Sequence, residues 1–325
     1  MTPQTWLITG GAGYIGAHVA DEFLANGKNV VIYDSLYRGL ESRIEYLREK
    51  HKKEIPLIVA DIRDLVRLEE VLAVYKPHGI VHTAALKAVG ESMEKPVEYF
   101  EVNHHATAKM LELATKNQIK HFIFSSTAAV YASPNTSRPI NEECVTDPAS
   151  PYGASKLAAE SEVNKFLSIQ GNLGTSLRFF NVVGTSDLNL IDNSLENLVP
   201  IVIKKLKAGE SPIVYGSDYP TPDGTCIRDY VDVRDVALFH LAIANSKTKL
   251  PPAMNIGTGR GSSVKEVINL LTKEFNVPEI KILEEKRRGG DAPILYADIR
   301  LLKYHLKSSC NFTLQQSIQS LSNRL

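Results

Sequence analysis

Several features that mark specialised classes of protein are scarce in this 325-residue chain. It has only three cysteines, Cys144, Cys226 and Cys310, and no two of them form a Cys-x-x-Cys pair. Their odd number and wide spacing argue against a disulfide framework or a cysteine metal site, and we expect no bound metal. A reducing compartment, and therefore a cytoplasmic location, is the expectation.

The chain also lacks an excess of charge and lacks long apolar runs. Its 37 Lys and Arg residues balance 37 Asp and Glu residues, so the formal net charge is zero. A protein that neutralises nucleic-acid phosphates normally carries a basic excess, so we expect no nucleic-acid partner. No stretch approaches the ~18 apolar residues of a membrane span, and residues 1–10 lack a secretory pattern. We therefore expect a soluble protein with no membrane partner.

The order of apolar runs predicts an α/β fold. Short apolar runs alternate with helix-length segments in the first half, which indicates parallel strands buried on both faces. The predicted strands lie at 6–8, 30–32, 57–59, 80–81, 122–124 and near 176–177, with helices at 14–26, 64–75 and 96–117. This order is typical of a doubly wound parallel Rossmann sheet.

The second half is less regular and predicts a smaller α/β domain. Its predicted helices lie at 198–208, 233–245, 263–275 and 313–322, and the loops between them are rich in Pro, Gly and Asp. At roughly 150 residues per domain the length allows about two domains. We place the change near Asn181, giving domains 1–180 and 181–325, with part of the second half returning to the Rossmann sheet.

A glycine-rich turn follows the first predicted strand and opens the first predicted helix. Gly10, Gly13 and Gly16 have the spacing Gly-x-x-Gly-x-x-Gly, with Tyr14 and Ile15 inside the motif. Side chains at the glycines would obstruct a tight turn, a close approach to a pyrophosphate and the packing of helix on strand. The helix N-terminus then offers free N–H groups to the phosphates.

Asp34 follows the second predicted strand. A carboxylate at this place accepts hydrogen bonds from a ribose 2′-hydroxyl and repels a 2′-phosphate. The alternative for Asp34 is a cap on a helix or turn. With the glycine turn in register, the pattern predicts dinucleotide binding and favours NAD over NADP.

Tyr152 and Lys156 lie four residues apart, so they share one face of a predicted helix. A free tyrosine has a pKa of about 10 and is a poor base at neutral pH. A cation ~4 Å away contributes roughly 4 kcal/mol at an effective dielectric near 20, enough to lower that pKa by up to about three. We therefore expect Lys156 to lower the pKa of Tyr152 and make it a general base. The alternative is an exposed pair with no special role.

Three hydroxyl residues, Ser125, Ser126 and Thr127, continue the predicted strand at 122–124. Ligands of such sheets collect at the carboxyl ends of strands, where a hydroxyl can bridge a substrate oxygen and Tyr152. The alternative is that these small polar residues merely end the strand. The catalytic interpretation requires Thr127 and Tyr152 to lie close together in space.

At these residues the chain resembles the UDP-glucose 4-epimerases (UDP-galactose 4-epimerases) of the extended short-chain dehydrogenase/reductase superfamily. The resemblance runs from the glycine turn to about Asp298. Its most specific segments are 10–16, 86–92, 122–131, 150–156, 177–181 and 218–230. The segments 86–92 and 218–230 are far more diagnostic than the motifs of the superfamily.

The resemblance implies a reaction and a role for each catalytic residue. Such enzymes hold NAD permanently and reversibly invert C4 of a UDP-hexose, UDP-galactose or UDP-glucose, through a 4-keto sugar. Tyr152 would take the proton of the 4-hydroxyl, Thr127 would relay or orient the hydrogen bond, and Lys156 would hold the nicotinamide ribose. A homodimer is also implied, through helices near 96–117 and 152–170.

The resemblance also implies contacts by position. The implied cofactor-binding residues are Gly10, Gly13, Tyr14, Ile15, Gly16, Asp34, Asp61, Ile62, Ala84, Ala85, Lys87, Asn103, Ser125, Tyr152 and Lys156. The implied substrate-binding residues are Lys87, Ser126, Thr127, Tyr152, Phe180, Asn181, Asn197, Leu198, Tyr215, Arg228, Arg288, Asp291 and Leu295. Guanidinium groups suit a diphosphate, although Arg287 beside Arg288 makes that assignment ambiguous by one residue.

Some positions depart from the family pattern and bear on the sugar. The loop 185–196 is short, and Ala132 follows Tyr131 where glycine is usual. Leu295 stands where a large Tyr restricts the pocket to UDP-glucose and UDP-galactose and small residues admit N-acetylhexosamines. Since Leu is intermediate, both pairs stay open, and we expect some tolerance of UDP-GalNAc and UDP-GlcNAc.

Three other functions fit parts of the pattern. A sugar-nucleotide 4,6-dehydratase would need an added acid–base pair after Thr127, where Ala128 and Ala129 stand. An epimerase of UDP-glucuronate, another NAD-dependent nucleotide-sugar enzyme, would need further basic groups for the carboxylate. A non-catalytic NAD-sensing regulator could share the fold, but such proteins usually lose the Tyr or Lys that this chain keeps.

Overall fold

The computed structural model describes residues 4–132, 138–277, 279–288 and 292–322 of the chain. Two compact units are present, each discontinuous in sequence. The first unit consists of Met1–Val130, Pro148–Phe179 and Val236–Met254, and the second of Tyr131–Asp147, Phe180–Asp235 and Asn255–Leu325.

The segment Tyr131–Asp147 differs from the expected division, which assigned it to the first domain. Its Ile140 forms a parallel β-bridge with Ala297 of the second unit. The backbone N–H of Ile140 donates to Tyr296 O (2.9 Å), and Asp298 N donates to Ile140 O (2.7 Å). These backbone hydrogen bonds join the segment to the second unit, and no local sequence pattern predicts them.

The strands and helices of the described residues follow the expected alternation. The strands are β1 (Thr5–Thr9), β2 (Asn29–Asp34), β3 (Leu57–Val59), β4 (Gly79–His82), β5 (His121–Thr127), β6 (Leu173–Phe179), β7 (Asn181–Val183), β8 (Ile213–Tyr215), β9 (Ile227–Asp232), β10 (Ala253–Ile256), β11 (Gly261–Ser263), β12 (Leu283–Glu285) and β13 (Ile294–Leu295). The α-helices are α1 (Tyr14–Ala25), α2 (Glu41–His51), α3 (Leu65–Tyr75), α4 (Val89–Glu94), α5 (Pro96–Phe100), α6 (Ala106–Lys116), α7 (Pro151–Ser168), α8 (Leu198–Lys207), α9 (Val233–Ala244), α10 (Val264–Glu274), α11 (Arg300–Leu306) and α12 (Leu314–Gln319).

A seven-stranded sheet of order β10-β6-β5-β4-β1-β2-β3 forms the centre of the first unit. Each neighbouring pair from β3 to β6 is parallel, which confirms the predicted doubly wound sheet. The strand order reverses between β1 and β4, and ligands of such sheets bind outside the carboxyl ends of the strands at this point.

Helices cover this sheet because its strands carry apolar side chains. Leu7 of β1 and Phe122 of β5 are fully buried in one cluster with Met110 of α6 and Val163 of α7. Burial of each such side chain contributes roughly 1.5–3 kcal/mol. The strands can therefore consist of nearly continuous apolar runs, as the sequence indicated.

Local signals explain where the helices of the site begin. Asp64 caps α3, since its carboxylate accepts a hydrogen bond from the backbone N–H of Arg67 at 3.0 Å. Ser150 caps α7 in the same way, accepting from Gly153 N at 3.2 Å, and Pro151 occupies the first helical position. Helix α7 therefore begins at a sharply defined residue.

The single helix expected at 96–117 is wrong in one respect. It consists of α5, a π-helical turn over Glu101–His105, and α6. Asn103 lies in the turn and is tied by its side chain to Leu86 and to Ser155 of α7. These non-local bonds accompany the wider turn, and the apolar periodicity of the segment does not reveal them.

The second unit contains the smaller sheets. Strand β9 pairs antiparallel with β11 and parallel with β13 and β7, while β8 pairs with β12. Helices α8, α10 and α12 bury one apolar face each, with Val202, Ile268 and Ile318 in one cluster. The predicted smaller α/β domain has this architecture.

Candidate active site

The glycine turn between β1 and α1 is held closely against the neighbouring strands. Gly10 has a φ of +68°, and its N–H donates to Tyr33 O at 2.8 Å. A Cβ at Gly10 would lie 2.6 Å from the backbone nitrogen of Ala84, in the loop after β4. Only glycine meets both conditions without strain.

Asp34 lies at the end of β2 and is 7% exposed. Its two carboxylate oxygens accept from Leu36 N at 2.9 Å and from Ala12 N at 3.0 Å. Burial raises the pKa of Asp34, and these backbone hydrogen bonds oppose the rise. Asp34 therefore caps the turn, as the alternative interpretation held. A carboxylate offers about four acceptor positions, so capacity for a ribose hydroxyl remains.

The carboxyl edge of the sheet fits a dinucleotide. The cradle at Gly10 leaves no room for a Cβ, and the N-terminus of α1, the positive end of the helix dipole, lies directly beyond it. Among the residues that the structure describes, the buried Ser125 hydroxyl near the end of β5 has no hydrogen-bond partner. An orphaned buried hydroxyl is costly, and a ligand that bonds to it would remove that cost. These residues fit NAD.

The remaining cofactor candidates follow other strands of the same sheet. Asp61 and Ile62 follow β3, and Asp61 is ion-paired with Arg63 at 2.7 Å. Ala84, Ala85 and Lys87 lie in the loop after β4, whereas Gly13, Tyr14, Ile15 and Gly16 form the turn and the first residues of α1. Asn103 is 1% exposed. Its side-chain bonds within the protein make it a brace for the Leu86 loop.

The structure brings Tyr152 and Thr127 together. Tyr152 lies in the first turn of α7, and its hydroxyl lies close enough to that of Thr127, at the end of β5, for the two groups to interact. The Thr127 hydroxyl oxygen already accepts from Ala129 N at 3.1 Å, so its proton is available to the phenol oxygen. A Cβ at Gly153 would lie 2.3 Å from Ala129 O, so glycine permits this close approach.

The expected lowering of the Tyr152 pKa is wrong for this structure. Burial raises the pKa of Tyr152, and the hydrogen bond from Thr127 only partly opposes it. Lys156 directs its ammonium over the Phe124 ring, 4.1 Å from the ring centroid. Because desolvation disfavours the phenolate, it outweighs the charge effect expected from the spacing of Tyr152 and Lys156.

Lys156 is itself strongly perturbed. It is 2% exposed, and burial lowers the pKa of its ammonium to about 7, while the Glu160 carboxylate acts in the opposite direction. His82 of β4 is fully buried, and burial together with the Lys156 charge lowers its pKa to about 3. His82 is therefore neutral, and Lys156 titrates near neutral pH.

A buried network that the sequence analysis missed supports this helix. Glu160 follows Lys156 by one turn of α7 and accepts from the Ser126 hydroxyl at 2.5 Å. Arg178 of β6 donates to both Glu160 oxygens, at 2.7 Å and 3.0 Å. The sequence held one signal for Glu160, because Tyr152, Lys156 and Glu160 are spaced four residues apart and share one helix face. It held no signal for the partner on β6.

The predicted substrate residues of the second unit lie on its sheets. Asn181 of β7 pairs in register with Tyr230 of β9, and its side chain lies close enough to the Tyr230 hydroxyl to interact with it. Leu295 of β13 lies opposite Arg228 of β9. Arg228 donates to Ala292 O at 2.7 Å. The structure therefore places three of the predicted residues on adjacent strands.

The ambiguity between the two neighbouring arginines is reduced by the structure. Arg287 is ion-paired with Asp218 at 2.7 Å and covers the Tyr219 ring. Arg288 instead stacks on the ring of Tyr215, 3.9 Å from its centroid. Arg288 and Tyr215 are thus brought together, as the resemblance implied for a shared site.

The remaining predicted substrate residues lie elsewhere in the chain. Asn197 is the N-cap residue of α8 and donates to Asp192 at 2.8 Å, and Leu198 begins the helix. Phe180 is buried, and its backbone N–H donates a hydrogen bond to Ile256 O at 3.0 Å. Asp291 lies outside the described residues.

The fold and the site define a dinucleotide-dependent enzyme of the Rossmann class. The epimerase family, described as the NAD dependent epimerase/dehydratase family, matches residues 6–257. The chain belongs to this family.

Relatives and solved structures resemble nearly the whole chain. UDP-glucose 4-epimerase 4 of Oryza sativa subsp. japonica is 36% identical over 328 residues, covering 97% of this chain and 88% of the rice protein. The structure of UDP-glucose 4-epimerase from Bifidobacterium longum in complex with NAD+ and UDP has a TM-score of 0.90 at 35% identity, covering 98% and 96% of the two chains. The UDP-Glc/GlcNAc 4-epimerase from Campylobacter jejuni has a TM-score of 0.84 at 30% identity, covering 98% of each chain.

The described helices also bear on membranes. In the ranges that the structure describes, no helix combines the length and the apolar character needed to cross a bilayer.

Proposed function

We propose that this protein reversibly inverts C4 of UDP-galactose and UDP-glucose, using tightly bound NAD. The observation that carries the proposal is the proximity of the Thr127 and Tyr152 hydroxyl groups, with Lys156 one turn along the same helix as Tyr152. The glycine turn and the orphaned Ser125 hydroxyl lie at the same edge of the sheet. The 36% identity to a UDP-glucose 4-epimerase supports the same reaction.

The side chains of α7 and β5 perform the proton chemistry. Bound NAD would supply the acceptor for the C4 hydride and the donor that restores it, and its oxidised nicotinamide would carry a positive charge. Tyr152 takes the proton of the 4-hydroxyl and returns it, while Thr127 donates a hydrogen bond to the phenol oxygen. Lys156 holds the nicotinamide ribose, and in its charged form stabilises the phenolate.

Each part of the chain has a role in this proposal. Residues 1–180 hold NAD, and residues 181–325 hold the UDP-sugar. Arg228 and Arg288 pair with the diphosphate, since guanidinium forks match phosphate oxygens. The homodimer and the cytoplasmic location stay predictions.

Leu295 bears on which sugars the protein accepts. Leu295 lies opposite Arg228, so its side chain size bears on the space beside a proposed diphosphate ligand. The Campylobacter jejuni relative is a UDP-Glc/GlcNAc 4-epimerase. We therefore propose that UDP-GalNAc and UDP-GlcNAc are secondary substrates.

The dehydratase alternative is disfavoured by the residues after Thr127. Ala128 is buried and begins a short 3₁₀ turn over Ala128–Val130, so no carboxylate stands where elimination needs a proton carrier. A non-catalytic regulator would keep the fold, but it gives no reason for the proximity of the Thr127 and Tyr152 hydroxyl groups.

Turnover by the purified protein tests the proposal. UDP-galactose is incubated with the protein and no added NAD, and the products are separated by chromatography. We expect conversion to UDP-glucose, with slower conversion of UDP-GalNAc. No conversion of either nucleotide sugar, even with NAD supplied, would overturn the proposed function.

A further inference from the structure

One ion pair joins the loops on both sides of the glycine turn. Arg38, four residues after the end of β2, donates from its guanidinium to the Glu91 carboxylate of α4 at 2.8 Å. The sheet order is β4-β1-β2, so the loop after β2 and the helix after β4 flank the turn that follows β1. Glu91 lies in the diagnostic segment 86–92, yet the proposed reaction gives it no role.

Hydrogen bonds fix both loops against the same turn. On the β2 side, Leu40 N donates to Ala12 O at 3.0 Å. On the β4 side, Thr83 N donates to Thr9 O at 3.0 Å. The Arg38–Glu91 pair therefore connects two anchored loops across the place where the pyrophosphate and adenosine of a dinucleotide bind.

Glu91 has further hydrogen-bond partners that hold its carboxylate in place beside Arg38. The buried Tyr99 hydroxyl lies 3.0 Å from the Glu91 carboxylate and 2.8 Å from Ala88 O, and these two acceptors share its single proton. Lys95 is a second cationic partner at 3.2 Å. The side chain of Glu91 is 21% exposed and that of Arg38 36% exposed. Besides Arg38, Glu91 therefore has partners on its own side of the glycine turn.

We infer that the Arg38–Glu91 ion pair is a strap across the dinucleotide groove that slows the release of bound NAD. This inference rests on the proposed NAD-dependent function and adds two cofactor-retaining residues to it. A reaction that removes and restores the same hydride gains from a cofactor that does not leave between the two steps. The strap supplies retention without contacting the substrate.

Release of NAD from the purified holoprotein tests the strap. The protein is incubated with NAD, desalted, and diluted into alcohol dehydrogenase with ethanol, which reduces freed NAD to NADH and reports it at 340 nm. Exposed ion pairs contribute about 0.2–1 kcal/mol, so Arg38→Met and Glu91→Gln should each release NAD up to about fivefold faster. The double variant should be no faster than the faster single variant, because one interaction is lost in all three.

The matched control is Arg67→Met. It removes an exposed arginine–glutamate pair of 2.9 Å on α3, between Arg67 and Glu70, and should leave the release rate unchanged. If Arg38→Met releases NAD as slowly as the unaltered protein, the strap is overturned but the proposed function is not. Additive effects of the two changes in the double variant would overturn the strap in the same way. Absence of NAD from the unaltered protein, even after denaturation, overturns the proposed function together with the strap.

Discussion

Tyr152 shows how far single residues can be understood from the sequence. Its spacing from Lys156 and the strand end at Thr127 indicated that the three belong to one site, and the structure brings them together. The direction of its pKa was not predictable. Spacing shows which charges are near, whereas desolvation depends on everything packed around the ring, including Tyr99 at 6.4 Å between ring centroids.

Replacing Tyr152 with Phe removes the proton acceptor and leaves the ring in place. We expect turnover of UDP-galactose to fall by about 10²- to 10⁴-fold, as is typical for loss of a general base. Circular dichroism and the amount of bound NAD should be unchanged. A variant that retains more than a tenth of the activity would contradict the role of Tyr152.

His82 makes the stability of the protein sensitive to acid. Thr107 donates its hydroxyl proton to Asn103 O, so His82 Nε2 donates to Thr107 and Nδ1 accepts from Thr9. The folded pKa is lowered to about 3 from 6.5, so the unfolded chain binds the proton first. The free energy of unfolding therefore decreases as the pH falls below 6.5, and the decrease reaches about 2 kcal/mol at pH 5.

The change His82→Gln tests this assignment, because an amide can keep one donor and one acceptor without titrating. Urea unfolding at pH 8 and pH 5 should show a pH dependence smaller by about 2 kcal/mol in the variant. The other buried histidines contribute equally to both proteins. The same pH dependence in both would show that His82 is not the titrating group.

At the scale of elements, α7 carries the site because three features fix its place. Ser150 sets its start, Gly153 allows its close approach to the end of β5, and Glu160 anchors its second and third turns. The start was readable from the sequence, since a cap and a proline precede the helix. The anchor was not, because Arg178 reaches Glu160 from a strand 18 positions along the chain.

The change Glu160→Gln should destabilise the protein by about 3–5 kcal/mol. It leaves the guanidinium of Arg178 buried without its counter-charge, which costs more than the pair itself contributes. Urea unfolding at pH 7.5 measures the loss. The double change Glu160→Leu with Arg178→Met should recover much of it. A loss of less than 1 kcal/mol in the Glu160→Gln variant would contradict this, since it would mean that water solvates the unpaired Arg178 charge.

At the scale of the whole molecule, the sequence predicted the parallel sheet but not the place of residues 131–147 in the second unit. Local periodicity sufficed for β1 to β6, since each strand is a short buried run between helices. The grouping of 131–147 with the second unit depends on Ile140 pairing with Ala297, far along the chain. Such pairings are decided by tertiary packing, to which a single sequence gives no guide.

The central claim is that hydrogen leaves C4 and returns to C4 within one protein molecule. UDP-galactose carrying deuterium at C4 tests it directly, with no added NAD and the product analysed by mass spectrometry and NMR. The account predicts UDP-glucose that keeps the deuterium at C4, because the hydride never exchanges with water. UDP-glucose that carries hydrogen from the solvent at C4 would contradict it, since the inversion would then proceed by removal of a proton.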